Sequence, residues 1–345
     1  MNSYLKEIIL TFYYYKNNSL KTLKNIENNF KSIDSHYLNL LSFNINDRIN
    51  KIKKGIEINS KFLNLIIEPY INEELKQNKY STQNKILINK LESTLKLFIR
   101  DWSKEGKKER NLVYIPIINE FKKYFMNENL NKKEIKILFP GTGLGRLQYE
   151  ISKLGFNTNG IEVSYFMLLC TNFFFNKNIN INKYSYLIQP LIHNFNNIYK
   201  ENDPFTNILI PDEDISNKIN NNEVEIKIFP GEFLSSFKDD VDCWNCIITS
   251  FFIDTANNII EFIEKIYKIL KKNGIWINCG PLLYHFTGIE NEISIELSWE
   301  EIEKIIIKIG FEILNIEEIK STYSSVENSM KQTIYSCMFF TAKKI

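Results

Sequence analysis

The stretch of this chain that most restricts its fold is ILFPGTGLGRLQYEISKLGFNTNGIE, residues 137–162. A short apolar run at 135–139 leads into Gly141, Gly143 and Gly145. Helical periodicity follows over 144–154, and a second apolar piece ends in Glu162. Strand, glycine turn, helix, strand and acid make half of a nucleotide-binding α/β unit. Glycines in such a turn let the backbone approach a ligand with no Cβ in the way. Glu162 stands about 20 residues on, where a carboxylate at a strand's carboxyl end accepts from both ribose hydroxyls.

The glycine spacing selects among nucleotide ligands. A dinucleotide fold uses G-x-G-x-x-G, whose third glycine permits close helix packing beneath a pyrophosphate. Here the pattern is G-x-G-x-G, and Arg146 fills the third position. That disfavours a nicotinamide dehydrogenase. A ligand with adenosine but no pyrophosphate needs the close approach without the phosphate cradle, and S-adenosylmethionine is the common ligand of that kind.

The totals narrow the class further. The chain has 345 residues, of which 44% are apolar, enough for a real core. Its net charge of +2 gives no electrostatic case for nucleic acid or for a membrane surface. No segment has the layout of a signal peptide, and no run approaches ~18 consecutive apolar residues. Five scattered cysteines in apolar contexts suit a reducing compartment, cytosolic or nuclear. Cys243 and Cys246 spell C-x-x-C, yet they fall in a run that reads as a strand. Residues three apart on a strand point to opposite faces, so no metal site is expected.

Residues 1–110 read as helical, with Leu5, Ile8, Ile9 and Phe12, and Leu87, Leu91, Leu95 and Phe98, at helical spacing. We divide the chain into an N-terminal helical region, 1–105, and an α/β domain, 106–345. The helical region offers a lid or a homodimer surface. In FIRDWSKEGKKER, Arg100, Asp101 and Trp102 either close an interface or bring Arg100 to the carboxylate of a cofactor's methionine tail. Residues 176–222 form a polar, Asn-rich insertion, with 184–195 as an amphipathic segment and His193 as a packed, lone histidine.

Strands are expected at 224–229, 242–252, 274–279, 311–316 and 333–342. Helices are expected at 114–125, 165–175, 259–270 and 299–309, with Asn273-Gly274 a C-cap signal. The 242–252 run is apolar nearly throughout, as in a parallel strand buried on both faces. The alternation predicts a doubly wound, seven-stranded, mostly parallel Rossmann-like sheet with a terminal hairpin. Gly141, Glu162, Glu232, Ser250–Asp254 and residues 281–285 then all lie at strand carboxyl ends, where such sheets bind ligands. Glu232 can accept from an adenine amino group while Phe233 flanks the ring; a simple turn is the other reading.

Four segments resemble the carnosine N-methyltransferase (N2227-like) family: ILFPGTGLGRLQYEISKLGF, NGIEVSYFMLLCTNFFFN, SFFIDTANNIIEFIEKIYKILKKNGIWINCGPLLYHF and NEISIELSWEEI. FIRDWSKEGKKER also looks like that family's segment before the glycine turn. The likeness runs from about residue 95 to the C-terminus; the first ninety residues are similar only in being helical. It implies a class I methyltransferase fold and methyl transfer from S-adenosylmethionine to the imidazole of a histidine-containing dipeptide. It also implies cofactor roles for Arg100, Gly141, Glu162, Glu232, Phe233 and Ser250, beside Gly143 of the turn, and substrate roles for Asp254, His285 and Tyr335. Departures from the family pattern are Leu97 for Gln, Glu232 for Asp, Ser250 for Cys, Asn257 for His, and Lys272-Asn273-Gly274 for Pro-Gly-Gly.

Imidazole is already a nucleophile when neutral, and needs its proton on the nitrogen that does not attack. A carboxylate accepting that N–H fixes the tautomer and stabilises the imidazolium that forms. Asp254, at the end of the fourth strand, is the candidate, with helix N-capping before Ile259 as its other reading. His285 and Tyr335 are assigned to the polar ends of the substrate, with Tyr284 and Tyr323 as lesser candidates. Two further functions are weighed: a protein or peptide histidine methyltransferase, and a cofactor-binding scaffold without catalysis.

Overall fold

A computed structural model of the chain describes residues 2–77, 84–126, 130–176, 179–215, 224–326 and 328–345. The ends of the Asn-rich insertion, 177–178 and 216–222, lie outside the described residues. The chain divides into two compact units. One comprises Met1–Gly106, Ile181–Asp214 and Ser324–Gln332, the other Lys107–Asn180, Ile215–Tyr323 and Thr333–Ile345.

The first unit is built on the helices Ser3–Tyr13, Tyr15–Lys31, Ile45–Ile67 and Lys85–Trp102. Asparagines start three of them: Asn2, Asn44 and Asn84 each accept a backbone N–H of the first turn. Ile8, Ile9, Phe12, Leu87, Leu91, Leu95 and Phe98 are all buried, the stripe the periodicity predicts. The 184–195 segment is not helical. Strand β3, Tyr186–Ile188, pairs antiparallel with β4, Ile208–Ile210. Tertiary bonds decide this, because Asn59 in the helix Ile45–Ile67 accepts from Gln189 N at 2.7 Å and donates to Gln189 O at 2.9 Å. The Asn59 amide also donates to Tyr15 Oη, which lies 2.6 Å from His193 Nε2. His193 Nδ1 lies 3.4 Å from Glu92 Oε1. The lone histidine is therefore packed and satisfied. Burial pushes it down to about 4 and pushes Glu92 up to about 7.

The second unit holds a seven-stranded sheet. Its strands are β1 Ile137–Pro140, β2 Thr158–Glu162, β5 Ile226–Pro230, β6 Trp244–Ser250, β7 Leu270–Gly280, β8 Phe311–Ser321 and β9 Tyr335–Lys344. The spatial order is β5-β2-β1-β6-β7-β9-β8. The first five are parallel, and β9 runs antiparallel to both β7 and β8. The chain winds one way from β1 to β2 and β5, and the other way from β6 onward. The switch point lies between β1 and β6, the position at which doubly wound sheets open for a ligand.

Two apolar layers flank the sheet. Ile137, Phe139, Cys246, Ile248, Ile275 and Ile277 pack on one face with Val113, Ile117 and Phe121 of the helix Lys107–Phe125. Leu138, Ile247 and Trp276 face the other, against Ile259, Phe262, Ile263 and Ile266 of the helix Ile259–Ile269. Each fully buried branched or aromatic side chain contributes about 1.5–3 kcal/mol. Alternate residues along β1, β6 and β7 thus feed opposite layers, as the near-continuous apolar runs require. Cys246 joins the first layer and Cys243 packs against the second, so the two sulfurs do lie on opposite faces.

Some boundaries differ from the sequence reading. The helix expected over 259–270 stops at Ile269, and β7 begins at Leu270. Leu270 is drawn into the sheet opposite Trp244, and Asn273, at φ +62°, turns within the strand where the register shifts. The Asn-Gly pair therefore makes a kink in a strand, not a helix cap. Strand β8 is longer than expected because its residues through Ser321 pair with β9 back to Tyr335. No helix among the described residues is long and apolar enough to cross a membrane.

Candidate active site

The glycine turn leaves β1 with Gly141 at φ +63°, Gly143 at φ +57° and Gly145 at φ +75°, all left-handed. Each glycine has a separate reason. A Cβ on Gly141 would lie 2.4 Å from the Phe252 ring, and one on Gly145 would lie 2.5 Å from the Phe175 ring. Gly145 thus supplies the close helix packing that the third glycine of a dinucleotide motif would give. Arg146 instead turns back along its helix, where its Nε donates to Glu150 Oε1 at 2.7 Å. A Cβ on Gly143 would meet nothing within 4 Å. The turn therefore faces open space at the position where close backbone approach to a ligand is needed.

Glu162 ends β2 almost fully buried. Its Oε2 accepts from Gly143 N at 2.8 Å and its Oε1 from Ser164 N at 2.9 Å. Burial raises its pKa, and these backbone donors pull it back. The carboxylate thereby ties the tip of the glycine turn to the end of the neighbouring strand. A second link runs inside the turn: Thr142 Oγ1 donates to Gln148 Oε1 at 2.8 Å, and Gln148 Nε2 donates to the Lys227 carbonyl of β5 at 2.9 Å.

Glu232 follows β5, with Gly231 N donating to Glu162 O at 3.0 Å. Its two carboxylate oxygens accept from Leu234 N and Ser235 N at 2.8 Å each, so it caps the short helix Phe233–Ser236 and is exposed. The ring of Phe233 is only 3% exposed and packs against Phe237, Phe252 and Phe262. Ser250 is the last residue of β6, opposite Cys279 of β7.

Beyond it the backbone turns sharply. Phe251 has φ +52°, a conformation that costs an aromatic residue about 1–2 kcal/mol. Gly280 makes room for it, since a Cβ there would lie 3.1 Å from Phe251 N. The ring of Phe251 then lies tilted against Tyr323, centroids 4.7 Å apart, and edge-on to Tyr335 at 6.4 Å. Asp254 lies in the 3-10 turn Ile253–Thr255 and is 2% exposed. Its Oδ2 accepts from Leu283 N at 2.9 Å, and its backbone carbonyl accepts from His285 N at 3.1 Å. Burial raises the Asp254 pKa, opposed by the Leu283 N–H and by His285. The helix that follows is capped by Asn258, whose Oδ1 accepts from Ile260 N at 3.1 Å. N-capping is therefore not the task of Asp254. His285 is exposed and Tyr335 partly so.

Two comparisons of the sequence with known proteins give its family. A family model described as Carnosine N-methyltransferase matches residues 76–345. The chain belongs to the carnosine N-methyltransferase family. The mouse carnosine N-methyltransferase is 38% identical over 98% of this chain and 85% of its own length. The Drosophila melanogaster protein is 42% identical over 74% of this chain and 56% of its own length. The Schizosaccharomyces pombe relative is 32% identical over 96% of this chain and 93% of its own length.

Within this carnosine N-methyltransferase family member, the second unit contains Gly141, Gly143, Glu162, Glu232, Phe233, Ser250, Asp254, His285 and Tyr335. Arg100 belongs to the first unit, where its Nη1 donates to Asp101 Oδ1 at 2.6 Å. Leu97 lies on the same helix, Lys85–Trp102, and is partly buried. Asn257 spends its amide on Ile293 O at 3.0 Å and Glu292 Oε2 at 3.1 Å. The sequence places Phe251 and Phe252 at a strand's carboxyl end without a role of their own, and gives Gln148 no place in the site. The signal for the first two was present in the SFFID run, where two aromatics sit between a buried strand and the acid. Gln148 gave none, because its partners are Thr142, six residues back, and a carbonyl on another strand. Among the described residues no group of three or more His, Cys, Asp and Glu could hold a metal ion.

Proposed function

We propose that this protein transfers the methyl group of S-adenosylmethionine to the imidazole of carnosine or a closely related histidine dipeptide. What carries the reading is the family match over residues 76–345, a span that takes in every residue of the candidate site. Five thiols without disulfides, four of them buried, accord with action in a reducing compartment such as the cytosol or nucleus.

The residues present fit the methyl donor. Gly143 leaves open space above the turn, and the buried Glu162 carboxylate retains lone-pair capacity for a ribose hydroxyl beyond the backbone N–H groups it accepts. Glu232 also has lone pairs left for an adenine amino group, whereas the Phe233 ring supports that site from the core. When bound, S-adenosylmethionine supplies an electrophilic methyl group on a sulfonium.

The chain's own residues do the rest by position. A neutral imidazole attacks with one ring nitrogen while its other carries the proton. With Oδ2 of Asp254 fixed by Leu283, Oδ1 is the oxygen assigned to accept that N–H. The carboxylate so selects the tautomer and stabilises the imidazolium that develops. No strong base is needed to start the reaction. His285 and Tyr335 hold the polar ends of the dipeptide, and the strained Phe251 backbone fixes the ring beside Tyr335. Holding nucleophile and methyl in line near ~3 Å supplies much of the rate.

Incubation with methyl-labelled S-adenosylmethionine and carnosine, followed by mass spectrometry, tests this reading. Label in carnosine supports it. Label in histidine-containing peptides and none in carnosine would move the substrate to a chain, and donor binding with neither product would leave a scaffold.

A further inference from the structure

Residues 281–298, PLLYHFTGIENEISIELS, join β7 to the helix Trp299–Ile309 without a helix or strand of their own. A connection of that length is held only if its backbone groups find partners. Here it is pinned at three places. Leu283 and His285 bond to Asp254, as described above. Ile295 N donates to Asn257 O at 2.9 Å, and the Asn257 amide donates to Ile293 O at 3.0 Å. The third fastening is Tyr284. Its hydroxyl donates to Leu297 O and accepts from Leu297 N at 2.9 Å, spanning thirteen residues of sequence.

Tyr284 is 8% exposed and has φ +47°. A bulky residue keeps a left-handed backbone only where its surroundings enforce it, and such strain gathers at functional positions. That backbone angle sets the direction in which the chain leaves Tyr284, and the next residue is His285. A ring buried only for packing needs no hydroxyl. A tyrosine hydroxyl occupied as donor and acceptor by the backbone N–H and C=O of one residue fixes the distance between the two ends of the connection.

We propose that Tyr284 is a positioning residue for the dipeptide. Its hydroxyl closes residues 284–297 into a fastened loop and so holds His285 in place beside Asp254. This rests on the substrate role assigned to His285 above.

The test compares Tyr284→Phe, His285→Ala and the double variant in steady-state assays with carnosine, alongside direct titration of S-adenosylmethionine. Tyr284→Phe keeps the buried ring and removes only the oxygen. It should raise KM for carnosine about tenfold, change kcat less than about threefold and leave donor affinity unchanged. In the His285→Ala background the same substitution should raise KM no further, because the hydroxyl acts through His285. An unchanged KM in Tyr284→Phe, or an equal rise with and without His285, overturns the proposal. If His285→Ala itself leaves KM unchanged, the substrate role of His285 fails, which is a different result. Should Tyr284→Phe not fold, Asn257→Ala loosens the same loop from its other side. A smaller rise in KM that vanishes without His285 is then expected, and no rise overturns the proposal.

Discussion

Gly141 and Gly143 stand two residues apart with the same left-handed backbone, yet their substitutions should separate stability from binding. Gly141→Ala forces a methyl group into the Phe252 ring at 2.4 Å, so unfolding should shift by about 2–4 kcal/mol. Gly143→Ala meets no atom within 4 Å and should cost only the backbone term, about 1–2 kcal/mol. If the open space above Gly143 receives the methyl donor, that variant should bind S-adenosylmethionine at least about tenfold more weakly by calorimetric titration. Equal affinity for wild type and Gly143→Ala would remove the ligand from the turn. Both glycines were legible in the sequence because the motif demands them. What Gly141 avoids was not legible, since Phe252 comes from a distant segment.

The elements around the site were legible in proportion to how far local pattern decides them. The helix Ile259–Ile269 has an apolar stripe and an asparagine cap, and the stripe alone places it to within one residue. Removing the cap with Asn258→Ala should cost about 1 kcal/mol in chemical denaturation while leaving kcat for carnosine within about twofold. A kcat loss as large as that of an Asp254 variant would mean that the cap and the carboxylate are one device. Strand β7 was misread at its start, because Lys271 to Gly274 has the composition of a helix stop and only pairing with β6 makes it strand. The short strands β3 and β4 show no alternation long enough to read. The left-handed turns at Phe251 and Tyr284 are also invisible to pattern. Nothing about an aromatic residue announces a positive φ, which the pairing of Phe251 N with Cys279 O and the Tyr284–Leu297 bonds impose.

At the scale of the molecule, each unit carries its own buried polar centre. In the first, Tyr15, Asn59, Glu92 and His193 come from three helices and the insertion. No sequence rule would have joined residues so far apart. The neighbouring Lys96 charge favours the ionised Glu92 and the neutral His193. Glu92, raised to about 7, stabilises the fold below the ordinary carboxylate range, and that contribution is lost as pH rises through 7. His193, lowered to about 4, acts in the opposite sense, stabilising above the ordinary imidazole range and losing that as pH falls toward 4. Glu92→Gln removes the first effect and keeps the second. Between pH 5 and pH 8 the wild type should therefore lose stability relative to the variant. The difference should be on the order of 1–2 kcal/mol, allowing for a side chain 26% exposed. Parallel urea curves at the two pH values check this, and an identical pH response in both proteins would contradict it.

In the second unit the corresponding centre is Asp254, which fastens the β7 connection through Leu283 and is assigned to the imidazole tautomer. The most direct measurement is single-turnover methyl transfer to carnosine by Asp254→Asn, with donor and dipeptide affinities measured in parallel. The account predicts affinities within a few-fold of wild type and a transfer rate lower by about 10²- to 10⁴-fold, as expected when a fixed tautomer is lost. A transfer rate within a few-fold of wild type at normal affinity would contradict it.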